Sequence, residues 1–285
     1  MSTEPEPPDL SLDSGYTHVD DQTDPDFLVQ VMDQTAGWPS IVSMRAFEAE
    51  RLGLAPGGSL LDVGCGRGEV ACALAPRVAP GGRVLGLDAS ETMLTDARQR
   101  AGRVGVDVEF RIGDALAIDE PDASFDAARS ERMLQWVPEP GTAVAELSRV
   151  VRPGGRLCLI DTDWRTFAVD VPDIDLSTSV TAAMVRARGG PSAAGGLLVN
   201  LCRQQGLVDV DVHPATQVWT SWDPDREVAP SGLWPLDVVL ADVVAAGELD
   251  EADRTEFVAQ LRDRARQGRF FMSLTMFAVS ARRPG

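Results

Sequence analysis

One short pattern occurs three times in the chain and constrains its fold more than any other feature. Each copy is Pro-Gly-Gly followed by an apolar run that ends on aspartate, and the copies span residues 56–62, 80–88 and 153–161. Pro-Gly-Gly is typical of tight turns. A short, continuous apolar run is typical of a strand buried on both faces, as in a parallel sheet. Because open α/β sheets bind ligands at the carboxyl ends of parallel strands, the pattern predicts three carboxylates at a ligand-binding edge.

Segments with helical periodicity separate the apolar runs and complete the fold prediction. The predicted strands span residues 59–63, 83–87, 106–111, 125–129, 156–161, 207–213 and 271–281. The predicted helices span residues 67–77, 91–103, 141–151, 174–188, 195–205, 231–247 and 251–267. This alternation indicates an α/β fold with a doubly wound, mostly parallel, seven-stranded Rossmann-like sheet, in which the last strand is open to antiparallel insertion.

Some parts of the chain depart from the alternation of strands and helices. Residues 1–36 begin with a segment rich in Pro, Asp and Ser, which predicts an acidic, flexible leader and lid segment. The main domain is expected over residues 37–285. Residues 163–195 and 214–268 fit the alternation poorly, so we expect them to form helical cap insertions over the carboxyl edge of the sheet.

The charge of the chain excludes several functions. Among its 285 residues are 44 acidic and 26 basic side chains, a formal charge of −18, and every basic residue is Arg. The absence of Lys excludes a pyridoxal Schiff base and a Walker phosphate loop, which both need one. Nine carboxylates precede the first basic residue, Arg45, so 35 acids and 26 Arg remain, a balance of −9. This balance argues against a nucleic-acid substrate.

The N-terminal residues MSTEPEPPDL lack the basic start and apolar core of a signal peptide, and no stretch reaches the apolar length of a membrane span. We therefore expect a cytoplasmic protein that does not bind membranes, as a monomer or homodimer. The four Cys residues show no Cys-x-x-Cys pair and no His at ligand spacing, so neither a metal site nor a disulfide is expected.

The first of the three aspartates opens the strongest local motif, Asp-x-Gly-x-Gly-x-Gly over residues 62–68. Its glycines allow a sharp turn and a close approach of the backbone to a ligand, and the following helix offers free amides. A dinucleotide fingerprint would place its third glycine at position 69, where this chain has Glu69. A carboxylate there would face a pyrophosphate, so NAD is the poorer interpretation.

The glycine motif and the segments after it resemble the class I S-adenosylmethionine-dependent methyltransferases. A second acidic strand end follows 26 residues after the first, at Asp88. Further matching segments are Gly113-Asp114-Ala115, Ser124-Phe125-Asp126-Ala127, Leu134-Gln135-Trp136-Val137 and the run LSRVVRPGG over residues 147–155. The resemblance is close over residues 55–165, and it is nearest to the ubiquinone and menaquinone type and to the natural-product branch.

The resemblance implies S-adenosylmethionine as the cofactor and assigns roles along the strand ends. The residues implied to hold its methionine part are Asp62, Gly64, Cys65, Gly66 and Gly68. Asp88 would accept hydrogen bonds from both ribose hydroxyls, Ala89 and Met93 would flank the adenine, and Asp114 with the Ala115 amide would read the adenine edge. Ser130 would lie beside the sulfonium. For Asp114 and Met93, a helix cap and a core residue remain the alternatives.

Residues after the fourth and fifth strands lie near the methyl position that the resemblance implies. The candidate catalytic residues are Glu131, Gln135 and His18, the last in the leader. The candidate substrate-binding residues are Arg132, Trp136, Asp163 and Trp164. Packing of a loop is an alternative for the two Trp residues, and an ion pair with Glu131 or Glu139 is one for Arg132.

These features predict transfer of a methyl group from S-adenosylmethionine to a small organic acceptor, in natural-product or secondary metabolism. Two alternatives stay open at this point. Similar folds retain the cofactor while they catalyse a cyclisation, decarboxylation or hydroxylation, and a non-catalytic binding module would share the same fold.

Overall fold

The computed structural model describes residues 20, 32–188 and 190–285. Its strands are β1 (Ser59–Val63), β2 (Arg83–Asp88), β3 (Glu109–Ile112), β4 (Phe125–Glu131), β5 (Val151–Val169), β6 (Val208–Trp219) and β7 (Met272–Arg282). Its α-helices are α1 (Pro39–Arg51), α2 (Glu69–Val78), α3 (Glu91–Val104), α4 (Pro140–Val150), α5 (Ile174–Ala187), α6 (Ala194–Gln204), α7 (Leu236–Ala245) and α8 (Glu251–Arg266). A 3₁₀ turn at Leu134–Trp136 follows β4.

All seven strands belong to one sheet, in the order β3-β2-β1-β4-β5-β7-β6. β1 pairs in parallel with both β2 and β4, and the pairs β2–β3 and β4–β5 are also parallel. The strand order therefore reverses between β1 and β4, and their carboxyl ends flank the kind of crevice in which open sheets bind ligands. The predicted doubly wound, mostly parallel seven-stranded fold is confirmed.

The last strand, β7, runs antiparallel between β5 and β6. Thr166 bonds to Thr275 and Asp170 bonds to Phe271, so β5 and β7 run in opposite directions. On the other side of β7, Arg282 pairs with Asp209 and Thr216 pairs with Thr275, so β6 and β7 are also antiparallel. The last strand is thus inserted antiparallel into the sheet, a possibility that the sequence analysis left open.

The central strands of the sheet are buried on both faces, as the continuous apolar runs predict. Leu60 and Val84 pack with residues of α2 and α3, whereas the neighbouring Leu61 and Leu85 pack with residues of α4 and α6. Successive side chains of a strand point to opposite faces. One short strand therefore contributes to two cores, which fixes its position between the helices.

Within the described residues, the chain forms two compact units. One contains Pro39–Thr166, residues 190–217 and Leu274–Gly285, and the other contains residues 32–38, 167–188 and 218–273. The second unit overlaps the two stretches predicted as cap insertions, but residues 163–166 continue β5 and residues 190–195 belong with the first unit. A cap over the carboxyl edge stays a prediction.

Several predicted elements have different bounds in the structure; β6, for example, was expected over residues 207–213 but extends over Val208–Trp219. β5 was expected over residues 156–161 but extends over Val151–Val169, because β7 pairs with its second half. The helix expected over residues 231–247 is shorter, Leu236–Ala245, since Pro235 lies at its N-cap. Proline is tolerated at the start of a helix but not within it.

Most of the predicted leader lies outside the described residues, and so does His18. Residues 32–36 are helical, and a break at Gly37-Trp38 separates them from α1. In the described part of the chain, every helix is too short or too polar to cross a bilayer.

Gly68 lies directly before α2, where the backbone packs closely against neighbouring side chains. Its φ is +68°, and an added Cβ would lie 2.6 Å from Phe110 Cζ and 2.9 Å from Ala97 Cβ. Gly105 has a similar φ of +71° with open space around it. We expect Gly105→Ala to cost about 1 kcal/mol of unfolding free energy from backbone strain alone. Gly68→Ala should cost roughly 2–4 kcal/mol, because overpacking adds to that strain. Urea denaturation of both variants measures the difference, and equal costs would contradict the contact.

Candidate functional site

Four parallel strands end with carboxylates at one edge of the sheet. Asp62 lies near the end of β1, Asp88 closes β2, Glu131 closes β4, and Asp161 follows Ile160, the β5 partner of Glu131. Asp62 and Asp161 are fully buried. A buried carboxylate needs donors or cations around it, so the partners of these four groups indicate what each can do.

The glycine loop after β1 is fastened to the end of β2. The amides of Gly64 and Cys65 donate to the Leu87 carbonyl, at 2.8 and 3.0 Å, and the Gly66 amide donates to Asp88 Oδ2 at 2.7 Å. The Ser90 amide donates to the other oxygen, Oδ1, at 3.0 Å. Burial raises the pKa of Asp88, and the amides of Ser90 and Gly66 oppose the rise.

Both oxygens of Asp88 thus accept from backbone amides, and acceptor capacity remains on the side chain because a carboxylate accepts about four hydrogen bonds. A pair of neighbouring hydroxyls, such as those of a ribose, fits this acceptor pair. The loop geometry therefore suits the role that the resemblance implies for Asp88.

Other predicted cofactor residues surround the same strand ends. The Ser90 hydroxyl accepts from the Met93 amide at 3.1 Å and caps α3, while the Met93 side chain is buried and Ala89 is exposed. Asp114 Oδ1 accepts from the Leu116 amide at 2.8 Å, and Ala115 packs against a core cluster. Asp114 thus stabilises its own turn. It does not cap a helix, because no helix begins in the described segment between β3 and β4.

Ser130 lies at the end of β4 with its hydroxyl buried and without a hydrogen-bond partner. An unsatisfied buried hydroxyl carries a free-energy cost in the ligand-free protein. This orphaned group fits a position beside a bound ligand.

A buried arginine that the sequence analysis missed joins the strand ends. Arg129 on β4 is 2% exposed, and its guanidinium donates to three carboxylates. The bonds are Nε to Glu48 Oε1 at 2.7 Å, Nη1 to Asp62 Oδ1 at 2.7 Å and Nη2 to Glu131 Oε2 at 3.0 Å. Helix α1, strand β1 and strand β4 therefore meet at one guanidinium.

A second arginine, Arg45 on α1, extends this cluster. It donates through Nε and Nη2 to both oxygens of Glu131, each at 2.9 Å, and through Nη1 to Glu69 at 2.9 Å. Glu69 is the residue at the third glycine position of a dinucleotide fingerprint, and here its carboxylate binds an arginine. We call Arg45, Glu48, Asp62, Arg129 and Glu131 the buried ion cluster, and Glu69, which is 43% exposed, lies at its edge.

These contacts correct the role predicted for Glu131. Burial by itself would raise its pKa, but Arg45 and Arg129 outweigh burial and lower the pKa to about 2. A carboxylate that is paired on both oxygens and has so low a pKa is a poor general base, because efficient bases titrate near the working pH. Glu131 is a structural ion-pair partner.

The buried ion cluster carries more negative than positive charge, three carboxylates against two guanidiniums. Asp62 Oδ2 and Glu48 Oε2 are buried and have no hydrogen-bond partner. Burial raises the pKa of Asp62 against the opposing effect of Arg129, and raises that of Glu48 to about 7. An unpaired acceptor in an anionic surrounding fits a cationic group such as the ammonium of a methionine moiety.

Gln135, predicted as catalytic, instead connects two segments. Its Oε1 accepts from the Trp164 indole at 2.7 Å, its Nε2 donates to the Arg132 carbonyl at 3.3 Å, and its amide donates to Asp161 Oδ2 at 3.2 Å. Burial raises the pKa of Asp161 to about 7, although backbone amides, including those of Thr162 and Gln135, oppose this. Gln135 therefore orients Trp164 and holds the turn after β4.

Two predicted substrate-binding residues have partners within the protein. Asp163 binds Arg165 through both oxygens, at 2.8 and 2.6 Å, so its carboxylate is neutralised by a neighbour. Arg132 has a φ of 54° and places Nε 3.7 Å from Glu131 Oε1, which is the ion-pair alternative that the sequence left open. Trp136 ends the 3₁₀ turn after β4, half-buried.

His213 on β6 contacts α1. Its ring stacks on Phe47 with centroids 5.3 Å apart, and its Nε2 is 2.8 Å from Ser43 Oγ. It joins β6 to α1. Among residues 32–188 and 190–285, no cluster of His, Cys, Asp or Glu side chains is arranged to hold a metal ion.

The buried ion cluster yields a stability prediction. Arg129→Met leaves three buried carboxylates without their shared cation, and loss of one partner of a buried ion pair costs about 3–5 kcal/mol. The unpaired carboxyls would then have pKa values above those of the unfolded chain. Their penalty is therefore full above these pKa values and declines as pH falls. We expect the loss of unfolding free energy to be larger at pH 8 than at pH 5.5.

Arg103→Met is the matched control, because Arg103 is exposed on α3. Its cost should stay within about 0.5 kcal/mol at both pH values. Urea denaturation measures both variants. Equal stabilities of the two variants would contradict the assigned role of Arg129.

Known proteins of similar sequence include methyltransferases. A family model described as a methyltransferase domain matches residues 61–159. Nocamycin O-methyltransferase from Saccharothrix syringae is 39% identical over 210 residues, which cover 61% of this chain and 75% of that protein. An uncharacterized 37.1 kDa protein in transposon TN4556 of Streptomyces fradiae is 33% identical over 253 residues, covering 89% of this chain and 70% of that protein.

Quinone methyltransferases also match, but the chain spans only 46% to 62% of their length. Among solved structures, a putative methyltransferase from Bacillus halodurans superposes with a TM-score of 0.58 at 21% identity, over 85% of this chain and all of that one. That likeness supports the fold. Taken with the glycine loop, the paired acceptor Asp88 and the anionic strand ends, these relationships show that the chain belongs to the class I S-adenosylmethionine-dependent methyltransferase family.

Proposed function

We propose that the chain transfers a methyl group from S-adenosylmethionine to a small organic acceptor of natural-product type. The observation that carries this proposal is the bond between the Gly66 amide and Asp88, at 2.7 Å. It fixes the glycine loop against a carboxylate that can accept two ribose hydroxyls. The cofactor supplies an electrophilic methyl group on a sulfonium, and the protein has to hold and orient both partners.

Residues at the strand ends would each bind a different part of the cofactor. Asp62 Oδ2, unpaired in the ligand-free protein, would accept from the ammonium of the methionine moiety. Asp88 would hold the ribose, Met93 and Ala89 would flank the adenine, and Asp114 with the Ala115 amide would bind its edge. The Ser130 hydroxyl would lie at the sulfonium end.

The acceptor would approach from the segments that follow β4 and β5. Trp164 is oriented by its indole bond to Gln135, and Trp136 lies on the neighbouring turn. An oriented indole gives an apolar wall to an organic substrate and also favours a cation nearby. We therefore assign Trp164, Trp136 and Arg132 to substrate binding, and Gln135 to positioning Trp164.

Alignment of donor and acceptor would supply much of the rate acceleration. Methyl transfer is an in-line displacement, and good orientation alone lowers a barrier by several kcal/mol, about 7–11 in favourable cases. Glu131 is committed to two arginines and Gln135 to two hydrogen bonds. Base catalysis by Glu131 is therefore not included in the proposal.

The acceptor class follows from the relatives. The nocamycin enzyme is named for O-methylation, and its coverage and identity favour a natural-product hydroxyl over a quinone. We also propose that the chain acts in the cytoplasm, without nucleic acid, as a monomer or homodimer. The formal charge of −18 supports the exclusion of nucleic acid, whose phosphates would need a cationic surface.

Methyl transfer itself is testable with isotope. We expect incubation with S-adenosylmethionine labelled in its methyl group, together with a panel of hydroxylated polyketides, to place label in a product. Product formed without label would support a cyclisation, decarboxylation or hydroxylation instead. A chain that binds neither S-adenosylmethionine nor its demethylated product in calorimetry would contradict the proposal altogether.

Asp88→Ala tests the assignment of the ribose site. Loss of charge-assisted hydrogen bonds should weaken binding of S-adenosylhomocysteine by about 1.5–3 kcal/mol, roughly 10- to 150-fold in Kd. Asp107→Ala, an exposed aspartate before β3, is the control and should bind as the wild type does. Isothermal titration gives both constants. An unchanged Kd for Asp88→Ala would refute the assigned role.

A further inference from the structure

Two buried carboxylates share one guanidinium beneath the glycine loop. Glu48 on α1 is 1% exposed, and Asp62 on β1 is fully buried. Each binds Arg129 through one oxygen at 2.7 Å, and each keeps its second oxygen, Glu48 Oε2 and Asp62 Oδ2, buried without a partner. A guanidinium carries one positive charge, so it cannot neutralise both.

The other charged groups around Glu48 do not remove this imbalance. Glu131 faces it from β4 but is itself paired, and Arg45 on α1 is divided between Glu131 and Glu69. From β5, the group that faces Glu48 is the Cys158 thiol, whose pKa burial raises so that it stays neutral. The sum over the buried ion cluster is three carboxylates against two guanidiniums, one negative charge in excess.

An excess buried negative charge is removed most cheaply by a proton. Of the two unpaired carboxyls, Glu48 takes the proton more readily, since glutamate is the weaker acid. In the ligand-free protein burial raises the pKa of Glu48 to about 7, against the opposing charge of Arg129. Near neutral pH, Glu48 is therefore partly protonated.

We propose that binding of the cofactor expels this proton, so that the ammonium of its methionine moiety replaces the proton as the charge that balances Glu48 and Asp62. The proposal rests on the placement of that ammonium at Asp62 described above. On binding, the O–H bond of Glu48 breaks and the proton passes to the buffer. Glu48 is thus a positioning residue that acts on the cofactor through Arg129 and Asp62.

Expulsion of a proton predicts the direction in which ligand affinity changes with pH. A ligand that releases a proton binds more tightly as pH rises through the pKa of the group that loses it. Between pH 6 and pH 8, the contribution of Glu48 should strengthen binding roughly five- to tenfold. The amino group of the ligand also titrates, but it does so equally in every variant.

S-adenosylhomocysteine is the probe, because it carries the ammonium and has no transferable methyl group. Calorimetric titration at pH 7 in phosphate and in Tris, buffers of different ionisation enthalpy, gives the number of protons released on binding. We expect the wild type to release about half a proton more per site than Glu48→Gln, which cannot ionise. Glu146→Gln, in a surface cluster with Arg149, is the matched control and should release as many protons as the wild type.

The outcomes separate this inference from the assignment of the cofactor. Equal proton release by wild type and Glu48→Gln, with both binding, would overturn the inference and leave the cofactor site intact. A wild type that binds no S-adenosylhomocysteine would contradict the cofactor assignment itself.

If Glu48→Gln fails to fold, Asp161→Asn decides, because it removes the other buried carboxyl whose pKa is raised to about 7. Infrared difference spectra of this variant recorded on addition of S-adenosylhomocysteine at pH 7 should show loss of the carbonyl stretch of a protonated carboxylic acid. Its persistence would overturn the proposal.

Discussion

One buried guanidinium, that of Arg129, joins the elements on which the cofactor site depends. It reaches α1 through Glu48, β1 through Asp62 and its own strand through Glu131. The three carboxylates depend on this one cation, because its loss would leave buried negative charges uncompensated. The strand ends and the helix across them are therefore held as a single arrangement.

The glycine loop gains its shape from this arrangement. With β1 fixed at Asp62, the amides of Gly64 to Gly66 have only the end of β2 to bind, and they do so at Leu87 and Asp88. The acceptors that a nucleoside and an ammonium need are then pre-arranged before any ligand arrives. Such preorganisation reduces the cost of ordering the site on binding.

The strand ends were predictable from the sequence because their signals are local. An apolar run that closes on aspartate, followed by glycines, identifies Asp62 and Asp88 within a window of a few residues. The parallel sheet followed from the same windows. The length of β5 did not, since its second half is stabilised by pairing with β7, more than 100 residues away.

The partners of the charged residues were not predictable, for a related reason. Arg129 at the end of a predicted buried strand is itself a signal of a buried ion pair, but its partner Glu48 is 81 residues away in the sequence. Without that pairing, Glu131 was interpreted as catalytic. Gln135 was likewise interpreted as catalytic, and Asp163 as substrate-binding, because their partners, Trp164 and Arg165, could not be identified from residue type alone.

The central claim is that the carboxylates at the strand ends bind the cofactor. A crystal structure of the complex with S-adenosylhomocysteine tests it most directly. The account predicts both ribose hydroxyls within hydrogen-bond distance of Asp88 and the ammonium within hydrogen-bond distance of Asp62 Oδ2. A ligand bound without contact to either carboxylate would contradict it.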